Sequence, residues 1–505
     1  MKQFKVSIQF KRFIQINSRP TRLFTAGQPI HETRPHLIPT PGNLTPGISA
    51  LEYYQRRLKL CSNLPKKSLC ILFGNIIQYS SGSVFYDFQQ DNDLYYLTGW
   101  LEPDSIIIIE KKFDNGNDED VNLHMLVPPK NPQLELWQGV KSGLEGAYEF
   151  FNADYVEDIN KATIYLKNLI SSNDYIYWDK KFQSQDTSPI KSFFNFSHNQ
   201  NLNEIILKCG KPIKSLSKLT TEMRAIKSNN EIKVMHAANQ ISSRAINKAI
   251  GKVGSRNPIM SEKTLAKFLD YQFVKGGCDK QAYIPVVASG SNALTIHYTR
   301  NDDLLFKDEL VFIDAGGKLG GYCADISRAW PNNPKGFNDP QRDLYEVVLN
   351  TNKQCIELCD ESLGYTLNDI HEFSVNSLFN NLKNLPAFKN VTKNEVSKIL
   401  YPHYIGHHLG LDLHDIPLHS RFNKLVEGNV ITIEPGLYIP KDDRWSKYYQ
   451  GIGIRIEDDI VVGKTNDEII NLTSGCVKEV QDIESLIRNG VTTPGIHDEL
   501  VELDI

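Results

Sequence analysis

Four stretches of the sequence carry residues that bind cations or move protons. The first, residues 309–328, reads ELVFIDAGGKLGGYCADISR. A short apolar run ends in Asp314, a Gly-rich turn follows (Gly316, Gly317, Gly320, Gly321), and residues 322–329 alternate apolar and polar. That pattern predicts a β-hairpin. With the turn centred on Leu319 and Gly320, Asp314 and Asp325 are equidistant from it and face each other. Like charges opposed across a ladder are destabilising, so a cation between them is the expected reason for the pair.

The second stretch, HYIGHHLGLDLHD, packs His403, His407, His408 and His414 into residues 403–414. A single His is more often a satisfied structural residue, but four together beside Gly406 and Gly410 argue for a site. The third, residues 430–436 (VITIEPG), puts Thr432 and Glu434 on one face of a strand that Pro435 and Gly436 end. The fourth, residues 451–457 (GIGIRIE), turns Ile452, Ile454 and Ile456 inward, so that Arg455 and Glu457 share the other face. Together these stretches offer four carboxylates and an imidazole. Such an oxygen-rich set suits hard or borderline divalent ions, Mn2+ first, with Co2+, Fe2+ or Zn2+ as alternatives. Four carboxylates balance two such ions, held about 3.5–4 Å apart when bridged, and a water between them is activated for hydrolysis.

The elements that must position these groups follow from the rest of the chain. At 505 residues the chain is too long for one core and predicts two or three domains. No apolar run reaches the length of a membrane span; the four isoleucines 106–109 predict a buried strand. A net charge of −4 and a pI near 6.4 argue against a nucleic-acid partner. The eight Cys are scattered without a Cys-x-x-Cys, which fits buried thiols in a reducing compartment.

Helices are expected over 49–60, 143–152, 159–171, 190–196, 229–251 and 263–276. Strands are expected over 67–79, 86–96, 105–109, 121–127, 175–178 and 281–288. This gives an α/β domain over 49–215 and an α+β catalytic domain over 216–482, with an acidic tail over 483–505. Residues 27–48, rich in Pro and Gly, read as an extended linker or wrapping arm.

The first 31 residues hold no Asp or Glu but six basic residues interleaved with Phe and Ile. Removing those six charges takes the formal net charge from −4 to −10. That acid-free, basic, amphipathic composition predicts a mitochondrial transit peptide over residues 1–24. Arg22-Leu23-Phe24-Thr25 resembles a processing-peptidase site cut between Leu23 and Phe24, leaving Phe24 ahead of the small Thr25.

The order Asp314, Asp325, His407, Glu434, Glu457 resembles the ligand set of the pita-bread metallopeptidases, a family that includes aminopeptidase P, prolidase and methionine aminopeptidase. The resemblance spans about residues 216–480. His297 in IHYTRND and the second His, His414, are similar to aminopeptidase P, as is the large N-terminal domain, which resembles a creatinase-like, ribonuclease-H-like unit. Asp93 in DNDLYYLTGW and Trp137 in LWQG match segments that help close the substrate cleft, at times of a neighbouring subunit. The arm GQPIHETRPHLIPTPGNLTPGI and the leader resemble the mitochondrial intermediate-cleaving branch of that family.

The resemblance implies roles residue by residue. Asp314 would chelate one ion and His407 with Glu434 the other, while Asp325 and Glu457 bridge. Glu434 would also be the general base. His297 and His414 would stabilise the tetrahedral intermediate or assist the leaving amine, His403 would contact the substrate backbone beyond the scissile bond, and Arg455 would orient a ligand carboxylate. His408 has no implied role. Tyr404 and Ile405 stand where proline-specific relatives carry a small Gly-Thr pair.

The implied partners are N-termini of imported mitochondrial proteins, trimmed by one Tyr, Leu or Phe on the matrix side. A homo-oligomer, dimer or tetramer, is a family expectation. The alternatives are a general Xaa-Pro aminopeptidase or a prolidase and, remotely, a non-enzymatic pita-bread binding module. The chain's own Phe24 has the form of a substrate, so self-trimming to Thr25 is expected.

Overall fold

The computed structural model describes residues 26–116, 120–180 and 202–490. The transit segment, the processing site at Leu23, Phe24 and Thr25, the helix expected over 190–196 and the tail from residue 491 lie outside the described residues.

Apolar runs in the N-terminal part build a six-stranded mixed sheet. Its strands are β1 (Ser68–Phe73), β2 (Ile106–Lys111), β3 (Val121–Val127), β4 (Tyr155–Asp158), β5 (Tyr175–Tyr177) and β6 (Ile213–Lys214), in the order β6-β5-β1-β2-β3-β4. β2 runs antiparallel to β1 and β3, and the outer pairs are parallel. β1 and β2 are buried along their whole length, as continuous apolar strands are when both sheet faces are covered. The two-residue period then divides them. Cys70, Leu72, Ile107 and Ile109 join the main core with helix α1 (Ala50–Ser62), while Leu69, Ile71, Ile106 and Ile108 pack against Leu166 and Ile170 of the helix Ala162–Ser172.

Residues 86–96, expected as a strand, instead lead into helix α2 (Asn92–Thr98). The Asp91 side chain accepts the Leu94 N–H at its start, and Gly99, at φ 72°, ends it. These caps outweigh the strand preference of Tyr95 and Tyr96. The expected strand 67–79 is likewise cut short at Phe73. The Pro/Gly-rich arm packs down: Ile30, Ile38, Leu44 and Ile48 are buried, and the Gln28 side chain donates to Gly99 O and accepts from Leu101 N–H.

The second part is built around helix α3 (Asn229–Gly251). Ser228 and Glu231 form a capping box, and Val234, Met235, Ala238, Ile241, Ala245 and Ile246 face the core. Helix α4 (Glu262–Gly276) lies against it. The expected strand 281–288 divides into Lys280–Gln281 and β7 (Val286–Ser289), with Pro285 between them. β7 pairs with β8 (Leu310–Asp314), which pairs with β9 (Ser327–Pro331).

The hairpin expectation needs correction. The turn lies at Gly320 and Gly321, both at positive φ (54° and 87°), with Leu319 opposite Tyr322. This moves the turn centre by one residue and every partner by two, so Asp314 faces Ser327 and not Asp325. The ladder breaks over Ala324, Asp325 and Ile326, and Asp325 projects from that break.

Further on, helices α5 (Asp339–Ile356) and α6 (Leu367–Leu382) precede β10 (Val430–Ile433), β11 (Gly436–Tyr438), β12 (Gly453–Arg455) and β13 (Asp458–Val461). A last helix, α7 (Val480–Asn489), buries Val480, Ile483 and Ile487 against α3, so the expected boundary at residue 482 falls inside a packed helix. No helix of the described residues is long and apolar enough to cross a membrane.

The two parts are joined by specific contacts. Tyr95 Oη donates to Gly320 O at 2.8 Å, Asn92 donates to Asp412 at 2.6 Å, and Arg224 pairs with Asp93 at 2.8 Å. The tip of the chemistry-bearing hairpin is therefore gripped by α2.

Candidate metal centre

Asp314 ends β8 and Asp325 leaves the broken ladder beside it. Tyr283 joins them: its phenol lies 2.5 Å from Oδ1 of each carboxylate. No sequence spacing marks Tyr283, because its partners lie 31 and 42 residues away. The Asp325 N–H donates to the buried carboxylate of Asp459, which fixes the backbone of the break.

His407 reaches the same place on a segment that runs along β10. Leu409 N–H donates to Val430 O, Thr432 N–H to His407 O, and Glu434 N–H to Ile405 O. Gly406 makes this approach possible, since a Cβ there would lie 1.9 Å from Thr432 O. Gly406→Ala is thus expected to push the segment off the strand, costing about 1–3 kcal/mol as overpacking and weakening metal binding. Thermal melting and metal titration of the purified variant check both effects.

His407 Nδ1 lies 3.0 Å from the His408 carbonyl, to which it donates, so Nε2 points inward. Nε2 is 3.5 Å from Asp325 Oδ2 and 3.8 Å from Glu434 Oε1. One ligand atom each of Asp325, His407 and Glu457 lie within 4.8 Å of one another. Glu434 adjoins this trio through His407, and Asp314 through Tyr283.

Arg455 organises the far side. It donates to Asp314 Oδ2 at 2.5 Å, to Ser327 Oγ at 2.9 Å and to Tyr438 Oη at 2.9 Å. Ser327 in turn donates to Glu457 at 2.6 Å. Arg455 ends β12 and Glu457 lies just beyond it, and the two side chains meet at this serine.

The electrostatics of the set fit a divalent cation. Burial, with Asp325 alongside, raises Asp314 to about 7 against the pull of Arg455. Burial and the neighbouring carboxylates push Glu457 well up, and burial also raises Glu434. Burial disfavours a charged His407, yet Asp325 and Glu434 override it and hold the imidazole at about 9. The cluster draws positive charge into its centre, where a metal ion can take the place of the proton. An inward Nε2 with Nδ1 anchored on a carbonyl is also how a metal-binding His is oriented.

Three further histidines surround the cluster. The His414 ring lies 4.3 Å from that of His407; burial lowers the basicity of His414, and His407 and, to a lesser degree, His297 add to that effect. His403 donates from Nδ1 to Tyr404 O and accepts at Nε2 from Tyr438, and burial keeps it neutral, at about 3. Tyr404 is 51% exposed, with the Arg421 guanidinium 3.6 Å above its ring. His408 is buried against His419, and its Nδ1 has no partner among the described residues.

Asp93 is engaged by Arg224, which also binds Asp412 at 2.6 Å and Asp415 at 2.5 Å, so it serves the junction between the two parts. Trp137 is 58% exposed on the helix Pro132–Gln138, none of whose residues is buried.

Residues 233–464 match the model of metallopeptidase family M24, and residues 53–177 that of the aminopeptidase P N-terminal domain. The chain is 53% identical over 484 residues to intermediate cleaving peptidase 55 of Saccharomyces cerevisiae, covering 95% of this chain and 92% of the relative. The chain belongs to metallopeptidase family M24. Within M24 it is also 35% identical over 463 residues to the mitochondrial intermediate cleaving peptidase 55 of Arabidopsis thaliana, covering 92% of this chain and 88% of the relative. The crystal structure of yeast Icp55 lacking 58 N-terminal residues superposes with a TM-score of 0.79 at 50% identity, covering 89% of this chain and all of that one. The fold class is therefore the expected one, a creatinase-like α/β domain followed by an M24 pita-bread domain. The chain is a metalloaminopeptidase of the aminopeptidase P type, dependent on divalent metal.

Proposed function

We propose that this M24 enzyme removes a single N-terminal residue, Tyr, Leu or Phe, from proteins imported into mitochondria after their presequences are cleaved. The observation that carries the reading is the convergence of Asp325, His407 and Glu457, with Glu434 and Asp314 beside them, in one partly buried cluster. The yeast and plant relatives named intermediate cleaving peptidase 55, the latter also named mitochondrial, support the substrate class and the compartment. The matrix, or the matrix face of the inner membrane, follows from that substrate class.

In this reading Asp314, Asp325, His407, Glu434 and Glu457 would together hold two divalent ions, Mn2+ by preference. Bound there, the ions would acidify a water and polarise the scissile carbonyl. Glu434 takes the proton from the attacking water and delivers it to the departing amine. His297 and His414 donate hydrogen bonds to the oxygen that gains charge. His403, kept neutral, contacts the substrate backbone beyond the scissile bond. Tyr404 with Arg421 puts a bulky wall where proline-specific relatives have a small residue, which supports cleavage without a following proline. Trp137, open to solvent in the single chain, would close the cleft of a neighbouring subunit in a dimer or tetramer. The chain's own Phe24 would be removed in the same way, leaving Thr25 first in protein isolated from mitochondria.

The test is mass-spectrometric cleavage of a Phe-Thr-Ala-Gly-led peptide and an Xaa-Pro peptide by metal-stripped and Mn2+-restored enzyme. Metal-dependent release of Phe alone is the expected result. Activity confined to the Xaa-Pro peptide would replace this reading with a general aminopeptidase P, and inactivity on both would leave a binding module.

A further inference from the structure

The strands that carry Glu434 and Glu457 do not complete their ladder where the two carboxylates leave it. β10 pairs with β13 as far as Ile433 opposite Asp458, and β11 resumes with β12 at Gly436 opposite Arg455. Between these pairs Glu434 N–H donates to Ile405 O and Glu457 N–H to Ser327 O, Pro435 has no N–H to give, and a single bond, Ile456 N–H to Pro435 O at 3.2 Å, joins the two strands. Both glutamates are thus held from outside their own sheet, which frees their side chains to converge.

One buried side chain spans the gap from behind. Asn352, on the face of α5 turned toward these strands, donates from Nδ2 to Ile433 O at 3.1 Å and to Ile456 O at 3.2 Å. These are the carbonyls of the residues immediately before Glu434 and Glu457. Its Oδ1 accepts from Lys478 Nζ at 2.8 Å, and Lys478 also donates to Asp458 at 2.6 Å. Both amide hydrogens and the oxygen are therefore used. A carboxamide supplies two donors on one atom and an acceptor beside it; a carboxylate of the same size supplies no donor and an alkyl group supplies neither.

We propose that Asn352 is a positioning residue, which sets the separation of Glu434 and Glu457 and thereby the affinity of the centre for divalent ions. With its two donations removed, only the Ile456–Pro435 bond holds the two strands together at this segment, and the carboxylates lose the spacing that lets them act on the same ions. Partners that orient metal-binding side chains typically contribute 10–100-fold in metal affinity or activity. The inference rests on Glu434 and Glu457 being metal ligands.

The experiment measures Mn2+ binding to the metal-free full chain by titration calorimetry, the absorption spectrum of the Co2+-loaded protein, and the melting temperature of the metal-free protein. Asn352→Asp keeps the side-chain volume and the acceptor for Lys478 while removing both donors. Asn352→Ala removes them without adding a buried charge, and serves if the Asp variant misfolds. Thr351→Val is the control, since Thr351 is buried on the same helix and bonds only Val347 O and Ser377. Mn2+ affinity about 10–100-fold weaker in the Asn352 variants, with a changed Co2+ spectrum, is expected, whereas Thr351→Val lowers only the melting temperature. A lower melting temperature with native affinity and spectrum in the Asn352 variants overturns the proposal. Glu457→Gln, measured alongside, separates the two failures: if it too binds Mn2+ like the native chain, the ligand reading itself is wrong.

Discussion

Glu434→Gln will fold as the native enzyme does and lose at least about 10³-fold in kcat, the upper part of the range for a general base. The substitution preserves size, and the Glu434 N–H keeps its bond to Ile405 O whatever the side chain. What disappears is a carboxylate 3.8 Å from His407 and 3.7 Å from Arg455, the group that receives a proton and helps hold a cation. Single-turnover kinetics on the Phe-led peptide read the loss, and near-UV circular dichroism reads the fold. Activity within tenfold of native would show that another group is the base.

The second large effect is on folding. Arg328 is wholly buried, and its five donations go to Val477 O, Ser327 O, Glu457 O, Asp458 Oδ1 and Cys476 O. It thus ties the strand that follows Asp325 to the backbone of Glu457. Asp458 is as deeply buried, and its carboxyl is held well below the usual range because Lys478 and Arg328 outweigh the cost of burial. Arg328→Met fits the volume but takes the donor from Val477 O, Glu457 O and Cys476 O and leaves Asp458 with Lys478 and Thr473 alone, an expected loss of about 3–5 kcal/mol, as for other broken buried ion pairs. The urea midpoint of the metal-free protein measures it, and a native midpoint would refute the argument.

Some of this was legible in the sequence because local and global signals agreed. Ser228 and Glu231 frame α3, its apolar residues recur at helical spacing, and the helix spans the expected residues. β3 does likewise, and the four isoleucines of β2 are buried as expected. The glutamate strands were legible because two-residue alternation ends at Pro435 and resumes around Gly453.

The failures have physical causes. A one-residue error in the turn centre changes every partner in a hairpin, and nothing local says whether Gly320 or Gly321 takes the second position. In residues 86–96 aromatic content suggested a strand, but a cap at each end decided for a helix. Tyr283, Arg224 and Asn352 act through partners at least 31 residues away, and such contacts leave no spacing to read. The resemblance points Asp93 toward the cleft, but nothing local announces the Arg224 guanidinium that engages its carboxylate.

The grip of α2 on the catalytic hairpin bears on how this enzyme can be engineered. Tyr95 fills the space above Gly321, where even a methyl group would collide with its ring, and Arg56 of the first helix reaches Glu231 in the cap of α3. A truncation that kept only the M24-matching residues would strip the turn beside Asp325 of its lid and uncover Tyr322 and Leu411. The minimal catalytic fragment is therefore the two-domain body with its arm, and efforts to shorten the enzyme should begin at the surface hairpin Tyr79–Ser81 and Val84–Phe85, where Val84 and Phe85 are exposed.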